Sequence, residues 1–319
     1  MARYRSALPQ LEGGLFLTDG GIETTLIFHE GFELPDFAAF HLLRTTAGEA
    51  ALEKYFRGYA EIAERYGAGL ILESATWRAS ADWGRRLGYS REELAEANRR
   101  AIALLERIRG ERAGTRRPIV VSGCVGPRGD GYVADRAMSA GEAEAYHGEQ
   151  IETFAATDAD MVCATTMNYA EEAEGVARAA RAAGMPVAIS FTVETDGRLP
   201  TGQALGDAMA QVDAASASYP AYYMLNCAHP SHFEETLAAL GPSARRIRGL
   251  RANASTKSHA ELNESATLDV GDPRELGRDH GRLKQAHPRL NVFGGCCGTD
   301  GRHVEAIAKE CAPLFGSDG

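Results

Sequence analysis

The sequence predicts a single-domain α/β protein with the (β/α)₈ (TIM) barrel fold. Eight short apolar runs alternate with longer segments that have the apolar spacing of amphipathic helices. Alternating strands and helices favour a parallel sheet, and eight such units are the number that closes a barrel. No GxGxxG motif follows the first strand, which argues against an open dinucleotide-binding sheet. No linker rich in Pro, Gly or Ser divides the chain, so we expect one domain over residues 1–319.

The predicted strands are short apolar, β-branched runs. In chain order they are LFLTDGG (15–21), GLILESATW (69–77), PIVVSGCVGP (118–127), MVCATT (161–166), PVAISFTV (186–193), AYYMLNCAHP (221–230), RIRGLRANAS (246–255) and LNVFGGCCG (290–298). Segments rich in Ala, Glu and Arg with helical spacing are found at residues 46–66, 91–110, 140–158, 170–183, 231–240 and 301–315. The polar stretch 256–279 follows the seventh strand and carries Gly and Pro, and we expect it to cover the mouth of the barrel.

Composition and charge exclude several classes of function. The chain is 44% hydrophobic and 24% charged, which is ordinary for a globular protein. Its net charge is −10 and no basic stripe is present, so a nucleic-acid partner is not expected. No apolar run reaches the roughly 18 residues that a membrane span needs. The first residues lack the continuous apolar segment of a secretory signal, so we expect a cytoplasmic protein. A monomer and a homo-oligomer both stay open.

Three of the six cysteines are predicted to converge on one ion. Cytoplasmic cysteines are mostly reduced, so metal binding or catalysis is favoured over a disulfide framework. Active residues of a barrel gather at the C-terminal ends of its strands. Cys227 ends the sixth predicted strand, and Cys296 and Cys297 end the eighth. Three thiolates with one open position are typical of a catalytic zinc ion. The alternative is that these cysteines fill core space as small apolar residues.

The chain resembles the homocysteine S-methyltransferase family at three motifs. DGG follows the first strand, LNC ends the sixth and GGCCGT ends the eighth. That family includes the S-methylmethionine and betaine enzymes and the homocysteine module of cobalamin-dependent methionine synthase. The resemblance covers nearly the whole chain. It implies a (β/α)₈ barrel in which zinc is held by Cys227, Cys296 and Cys297.

The resemblance also implies a substrate site at the rim of the barrel. The DGG motif is expected to hold the amino-acid substrate, Asn226 to orient a loop or the substrate, and Trp77 to stack on a methylated cation. The expected site residues are Asp19, Gly20, Gly21, Trp77, Thr165, Asn226 and Asn253. Ordinary structural roles are the alternatives: a strand-to-helix turn for DGG, a turn cap for Asn226 and core packing for Trp77.

The remaining cysteines and two nearby histidines are expected to be structural. Cys124 and Cys163 lie within predicted strands and Cys311 within a predicted helix, so we expect all three to be buried. His229 and His232 follow Cys227 closely, but three cysteines already suffice for the ion. We therefore expect the two histidines to belong to the loop and the start of the next helix.

One departure from the family bears on the substrate. Many members carry Glu-Thr at the end of strand four, where the glutamate helps to hold the homocysteine ammonium group. The sequence here is CATTM, which places Ala164 at the glutamate position and retains Thr165. This departure leaves the metal chemistry intact and leaves the identity of the thiol acceptor open.

The expected function is transfer of a methyl group from a small onium donor, such as S-methylmethionine, to the thiol of homocysteine, which forms methionine. Only a thiolate is a good nucleophile, and zinc removes the thiol proton at neutral pH. Trp77 or Tyr169 would stack on the donor cation. Eight βα units leave no residues for a cobalamin or folate module. The alternatives are betaine as donor, a different small thiol as acceptor, and a zinc-binding or redox-sensing barrel without turnover.

Overall fold

Eight parallel strands form a closed barrel in the computed structural model, which describes residues 2–135, 137–263 and 267–316. The strands are β1 Phe16–Leu17, β2 Gly69–Glu73, β3 Ile119–Val125, β4 Met161–Met167, β5 Val187–Phe191, β6 Tyr222–Asn226, β7 Ile247–Ala252 and β8 Val292–Gly295. Each strand pairs with its neighbour in sequence, and β1 also pairs with β8, which closes the ring. The predicted (β/α)₈ barrel is confirmed.

The strands are shorter than the apolar runs that predicted them. The first run extends to residue 21, whereas β1 has only two residues. The sixth and eighth runs likewise continue beyond Asn226 and Gly295, where their strands end. These extra residues leave the sheet at its C-terminal edge and form the mouth of the barrel, so their apolar character comes from burial in loops.

Helices cover the outside of the sheet. They are α1 Thr46–Arg65, α2 Ala81–Arg86, α3 Arg91–Glu111, α4 Ala140–Ala155, α5 Ala170–Ala182, α6 Leu205–Ser216, α7 Pro230–Ala239, α8 His259–Asn263, α9 Pro273–Ala286 and α10 Gly301–Cys311. Capping boxes start α3 at Ser90 and α4 at Ser139. All six helices predicted from sequence are confirmed to within a few residues. The expectation that residues 256–279 form a cover is wrong for their second half, where α9 begins and packs beside α10.

Side chains alternate along each strand between the lumen of the barrel and the surrounding helices. On β4, Met161 and Cys163 belong to the inner core, while Val162 and Ala164 belong to the outer core between the sheet and the helices. The lower half of the lumen is apolar. Its buried side chains include Phe16, Ile71, Val120, Met161, Met224 and Val292.

A segment before β1 fills the bottom of the barrel. Gln10 is fully buried, and its side-chain amide donates to the hydroxyl of Tyr222 at 3.3 Å. The Gln10 carbonyl accepts hydrogen bonds from Arg248 and Asn291 at 3.2 and 2.9 Å. The lumen is therefore closed at its lower end, and access is from the C-terminal mouth. No helix among the described residues is long and apolar enough to cross a membrane.

Candidate metal centre and substrate site

Three cysteines meet at the mouth of the barrel. Cys227 follows β6, and Cys296 and Cys297 follow β8. Their sulfur atoms all lie within 4.8 Å of one another, and within the described ranges they form the only such group of three or more metal-ligand side chains. Cys227 is buried, Cys296 is partly buried and Cys297 is exposed. The structure thus brings together the three cysteines that the sequence predicts to converge.

The backbone at Cys227 is held in an unusual conformation. Its φ is 55°, in the left-handed region that non-glycine residues adopt only under local constraint. The Cys227 amide donates to the carbonyl of Arg251 at 3.1 Å. Its own carbonyl accepts from the Asn253 side-chain amide at 2.9 Å and contacts His259 Nε2. Three neighbours therefore fix the direction of the Cys227 side chain.

Glycines allow the segment that carries Cys296 and Cys297 to approach its neighbours. A Cβ atom on Gly295 would lie 2.1 Å from Oγ1 of Thr299, and one on Gly21 would lie 2.5 Å from the carbonyl oxygen of Cys296. Both distances are well below van der Waals contact. The Gly21 amide also donates to Thr299, at 3.0 Å to Oγ1. The DGG motif therefore packs directly against the backbone of the cysteine motif.

In the structure a disulfide joins Cys227 to Cys296, whereas Cys297 is free. Convergence on one point brings the two sulfurs of this pair close enough to bond, and the expectation of reduced cysteines stays a prediction. The same two sulfurs cannot serve a disulfide and a metal ion together, so metal binding requires the reduced pair.

Two side chains that the sequence did not single out cover the cysteines. The hydroxyl of Tyr132, from the loop after β3, lies 3.4 Å from Sγ of Cys297. Its ring stacks on His259, with centroids 4.1 Å apart, and Nδ1 of His259 lies 3.1 Å from Glu194. Burial beside Cys297 raises the pKa of Tyr132 well above 10, so its hydroxyl stays protonated. His259 belongs to the polar stretch after β7, so the expected cover of the mouth is confirmed for this part.

A buried ionic cluster forms the floor beneath the cysteines. Arg251 donates to Asp19 Oδ1 at 2.6 Å and also pairs with Glu73. Burial raises the pKa of both carboxyls, although Arg251 opposes that rise. Burial alone would lower the pKa of Arg251, but the two acids outweigh it and the pKa is raised. Tyr55 donates to Asp19 Oδ2 at 2.9 Å, so both carboxylate oxygens of Asp19 already have partners inside the protein.

The predicted asparagines hold loop backbone at the mouth. Asn226 accepts from the amide of Thr166 at 2.9 Å and from the hydroxyl of Ser190 at 2.6 Å. Thr166 lies in the irregular last part of β4 and has a φ of 63°, so this contact holds a strained backbone conformation. Asn253 holds Cys227, and its Oδ1 is a buried acceptor without a partner among the described residues. One polar atom at the site is thus available to a ligand or to water.

Ala164, which the sequence places at the family's glutamate position, is fully buried on the outer face of β4, against the helices, so its side chain does not reach the lumen. The next residue, Thr165, faces inward, and its Oγ1 lies 3.4 Å from Sγ of Cys124. The inward position at the end of β4 is therefore held by Thr165.

The two aromatic residues proposed to stack on a donor cation are largely occupied. The guanidinium of Arg78 covers one face of Trp77, with its Cζ 3.9 Å from the ring centroid. The Trp77 indole nitrogen points to the carbonyl of Thr165 at 3.4 Å. Tyr169 is buried, and its hydroxyl accepts from the amide of Met138 at 3.0 Å. A donor cation therefore has at most the remaining surface of Trp77.

The histidines and the other cysteines have the expected structural roles. His229 caps the start of α7 by accepting from the amide of Ser231, and His232 contacts the carbonyl of Thr256. Three further cysteines are buried away from the group of three: Cys124, Cys163 and Cys311.

The homocysteine S-methyltransferase family model matches residues 16–311. This chain belongs to the homocysteine S-methyltransferase family. Membership makes it a methyltransferase enzyme, and the alternative of a barrel without turnover is set aside. The resemblance inferred from DGG, LNC and GGCCGT is confirmed.

The chain is similar to several homocysteine methyltransferases. Homocysteine S-methyltransferase 4 from Zea mays is 27% identical, with 93% of this chain and 89% of that protein covered. Betaine–homocysteine S-methyltransferase 1 from Bos taurus is 27% identical over 53% of this chain and 44% of its own length. The metallated form of the homocysteine methyltransferase MmuM from Escherichia coli superimposes with a TM-score of 0.74 at 19% identity, covering 94% of this chain and 98% of that chain. This last likeness concerns the fold.

Proposed function

We propose that this enzyme transfers a methyl group from a small onium compound to the thiol of homocysteine, with zinc held by Cys227, Cys296 and Cys297. The observation that carries the proposal is the group of three cysteine sulfurs within 4.8 Å at the open end of the barrel. The maize, bovine and bacterial relatives are all named as homocysteine methyltransferases, which supports homocysteine as the acceptor.

The donor set fits a zinc ion with one exchangeable position. Sulfur ligands favour zinc over magnesium or calcium. A structural zinc site would use four protein ligands, and no fourth His, Cys, Asp or Glu joins the group within the described part of the chain. When bound, zinc supplies one function: it lowers the pKa of the acceptor thiol, so that the nucleophilic thiolate exists at neutral pH.

The protein's own residues prepare the site for in-line displacement. The buried ionic cluster of Asp19, Glu73 and Arg251 gives the lumen a rigid polar floor. Tyr132 and His259 cover one side of the cysteines and limit the access of water. The other side of the mouth faces solvent at Cys297, where the donor has to approach.

A sulfonium donor is favoured over a quaternary ammonium donor. The leaving group of S-methylmethionine is a neutral thioether, which departs more readily than the tertiary amine left by betaine. The net charge of −10 attracts either cation. The proposed donor is a small molecule that diffuses to the open mouth of the barrel. Betaine is the second candidate.

A donor screen tests this proposal. Reduced, zinc-loaded protein is incubated with homocysteine and one donor at a time, and methionine is quantified by mass spectrometry. We expect methionine with S-methylmethionine and less with betaine. Turnover with methylcobalamin or methyltetrahydrofolate, but with neither onium compound, would contradict the proposal.

Metal analysis tests the ligand assignment. We expect one zinc per chain in the reduced protein, and loss of most of the zinc and activity in Cys296→Ala, because two thiolates hold zinc far more weakly than three. Cys311→Ala is the matched control, because Cys311 is buried in α10 away from the mouth. Full zinc retention in Cys296→Ala would remove this residue from the ligand set.

A further inference from the structure

Arg78 is a buried cation in the loop after β2. Only 6% of its surface is exposed. Its guanidinium lies between two indole rings, with Cζ 3.9 Å from the centroid of Trp77 and 3.9 Å from that of Trp83. Stacking of this kind holds a guanidinium in one plane and stabilises its charge without neutralising it.

The hydrogen bonds of Arg78 are incomplete. Nη1 donates to the carbonyl of Gly129 at 2.8 Å, whereas Nε is buried and has no partner. No carboxylate in the described parts of the chain forms an ion pair with it; Asp130 and Glu23 act on it only from a greater distance. Burial lowers the pKa of Arg78 to about 10, so it stays charged at neutral pH. An unpaired buried charge is costly, which favours an anionic ligand at this position.

The loop after β3 connects Arg78 to the metal centre. Gly129 accepts the Nη1 hydrogen bond, and three residues further along the same loop Tyr132 contacts Cys297. Trp77, which stacks on Arg78, also points its indole nitrogen at the carbonyl of the inward-facing Thr165. One loop therefore contacts both the unpaired cation and Cys297, at the C-terminal end of the barrel.

We propose that Arg78 binds the carboxylate of an amino-acid substrate of this enzyme. The inference rests on the proposed function and specifies its substrate class. The Nε atom and the Nη2 atom beside it form the edge of the guanidinium that suits a carboxylate with two parallel hydrogen bonds. Both the acceptor homocysteine and an amino-acid sulfonium donor carry this group, so the test has to tell the two sources apart.

Matched thiols separate recognition of the carboxylate from a structural role. Homocysteine carries both charged groups, 4-mercaptobutanoate lacks the ammonium group and 3-aminopropane-1-thiol lacks the carboxylate. In Arg78→Met we expect KM for homocysteine and 4-mercaptobutanoate to rise about tenfold or more, the scale of a lost charge-assisted contact. KM for 3-aminopropane-1-thiol and kcat at saturation should stay near the wild-type values. Arg86→Met is the control, because Arg86 approaches the same Trp83 ring but pairs with Asp36 at the surface.

Two donors complete the test. If Arg78 binds the carboxylate of the donor, Arg78→Met raises KM for S-methylmethionine and leaves KM for trimethylsulfonium unchanged. In that case the substitution has the same effect on KM for all three thiols. A larger rise in KM for the compounds that carry a carboxylate, among either the thiols or the donors, supports the proposal. Equal changes for ligands with and without a carboxylate, or no change at all, would overturn it.

Binding measurements keep this inference distinct from the proposed function. Calorimetric titration of zinc-loaded protein with the three thiols, and of the protein with each sulfonium, measures recognition without methyl transfer. Weaker binding of the carboxylate-bearing ligands to Arg78→Met would support the role of Arg78 even if no donor gave turnover. If Arg78→Met does not fold, the wild-type protein still decides: homocysteine binding no more tightly than 3-aminopropane-1-thiol, and S-methylmethionine no more tightly than trimethylsulfonium, would contradict the proposal.

Discussion

Asn253, which is not one of the three proposed cysteine ligands, helps to position Cys227. Asn253 donates to the Cys227 carbonyl, and this contact helps to hold the left-handed backbone that directs the sulfur toward Cys296 and Cys297. Mutation of a group that orients a metal ligand typically lowers the affinity for the metal by a factor of ten to a hundred. Asn253 was predicted as a substrate-binding residue, and its hydrogen bond to Cys227 adds a role in positioning the cysteine.

We therefore expect Asn253→Ala to weaken zinc binding by about tenfold or more, because the Cys227 carbonyl loses a donor and its backbone is freed. Competition with a colorimetric zinc chelator under reducing conditions measures the effect. Thr256→Ala is the control, because the Thr256 side chain is exposed and only its backbone carbonyl is used. Equal zinc affinity in Asn253→Ala and wild type would show that the other contacts suffice.

The outward direction of the Ala164 side chain makes a second prediction. Ala164→Glu would place a carboxylate in the apolar layer between β4 and the helices, so we expect the free energy of unfolding to fall by at least about 3 kcal/mol. Urea unfolding measures this change. Ala50→Glu, at an exposed position of α1, should change it by less than about 0.5 kcal/mol. A stable Ala164→Glu with a lower KM for homocysteine would show that residue 164 reaches the lumen after all.

Residue-level prediction succeeded where one short motif contains the chemistry. GGCC and LNC are each only a few residues long, so the convergence of Cys227, Cys296 and Cys297 could be predicted from sequence. Arg251 and Tyr132 were missed because their importance comes from partners on other strands and loops, which no local pattern shows. The inward direction of Thr165 required the register of β4, since an error of one residue exchanges the two faces of a strand.

At the scale of elements, the end of β8 is defined by close backbone contacts. Gly295 is the last residue of the strand, and its missing Cβ makes room for the Thr299 hydroxyl, which donates to the carbonyl of Cys296. The strand therefore ends in a turn that is packed too closely for any side chain. The sequence suggested a bend here from its glycines, but the contacting group was not foreseeable.

Gly295→Ala is expected to destabilise the protein by about 1–3 kcal/mol, because the added methyl group would overlap a hydroxyl that is itself hydrogen-bonded. Zinc retention should fall with it, since the same turn carries Cys296. Thermal unfolding and zinc content report the two effects. In Gly301→Ala the new Cβ would lie 3.5 Å from the Ile62 side chain, an ordinary contact, so this variant should behave as wild type.

Helix α9 shows why some elements escaped prediction. Its sequence, PRELGRDHGRLKQA, has only two large apolar side chains, and its buried residues include Asp279, His280 and Lys284. An apolar spacing rule has little to detect in such a helix. The N-terminal cap is present in sequence, because Asp272 accepts from the amides of Arg274 and Glu275, but a cap alone does not define a helix.

At the scale of the whole molecule, one buried histidine links stability to pH. His280 is fully buried, and its Nδ1 donates to the carbonyl of Leu276 at 2.8 Å, while Nε2 has no partner among the described residues. Burial lowers the pKa of His280 from 6.5 to about 4. The folded protein thus binds this proton less readily than the unfolded chain, so stability is full above pH 6.5 and decreases as pH falls toward 4.

The size of this effect follows from the shift. We expect about 3 kcal/mol of unfolding free energy to be lost through His280 between pH 6.5 and pH 4. Urea unfolding at several pH values measures it. His280→Gln, which can keep the bond to Leu276 but does not titrate, should flatten this part of the profile. His287→Gln, at the partly exposed end of α9, is the control. Identical slopes in His280→Gln and wild type would assign the acid sensitivity to other groups.

The overall fold was easier to predict from sequence than the contacts of individual side chains. Eight alternating units specify a parallel sheet in sequence order, and the structure follows that order. Long-range geometry was not predictable in the same way, since the floor of the site joins Asp19, Glu73 and Arg251 from strands that are distant in sequence. The alternation of strand and helix is a local property of the sequence. The pairing of charges depends instead on the relative register of the strands in the closed barrel.

The pairing of β1 with β8 also constrains how the chain matures as it is made. During translation β1 is synthesised early, yet its second neighbour emerges from the ribosome only when nearly the whole chain has been made. Until then the growing sheet has two unpaired edges, β1 and the latest strand, which are open to wrong pairing with other chains. Cys296 and Cys297 follow β8 directly, so a nascent chain cannot assemble the group of three cysteines before the ring is ready to close.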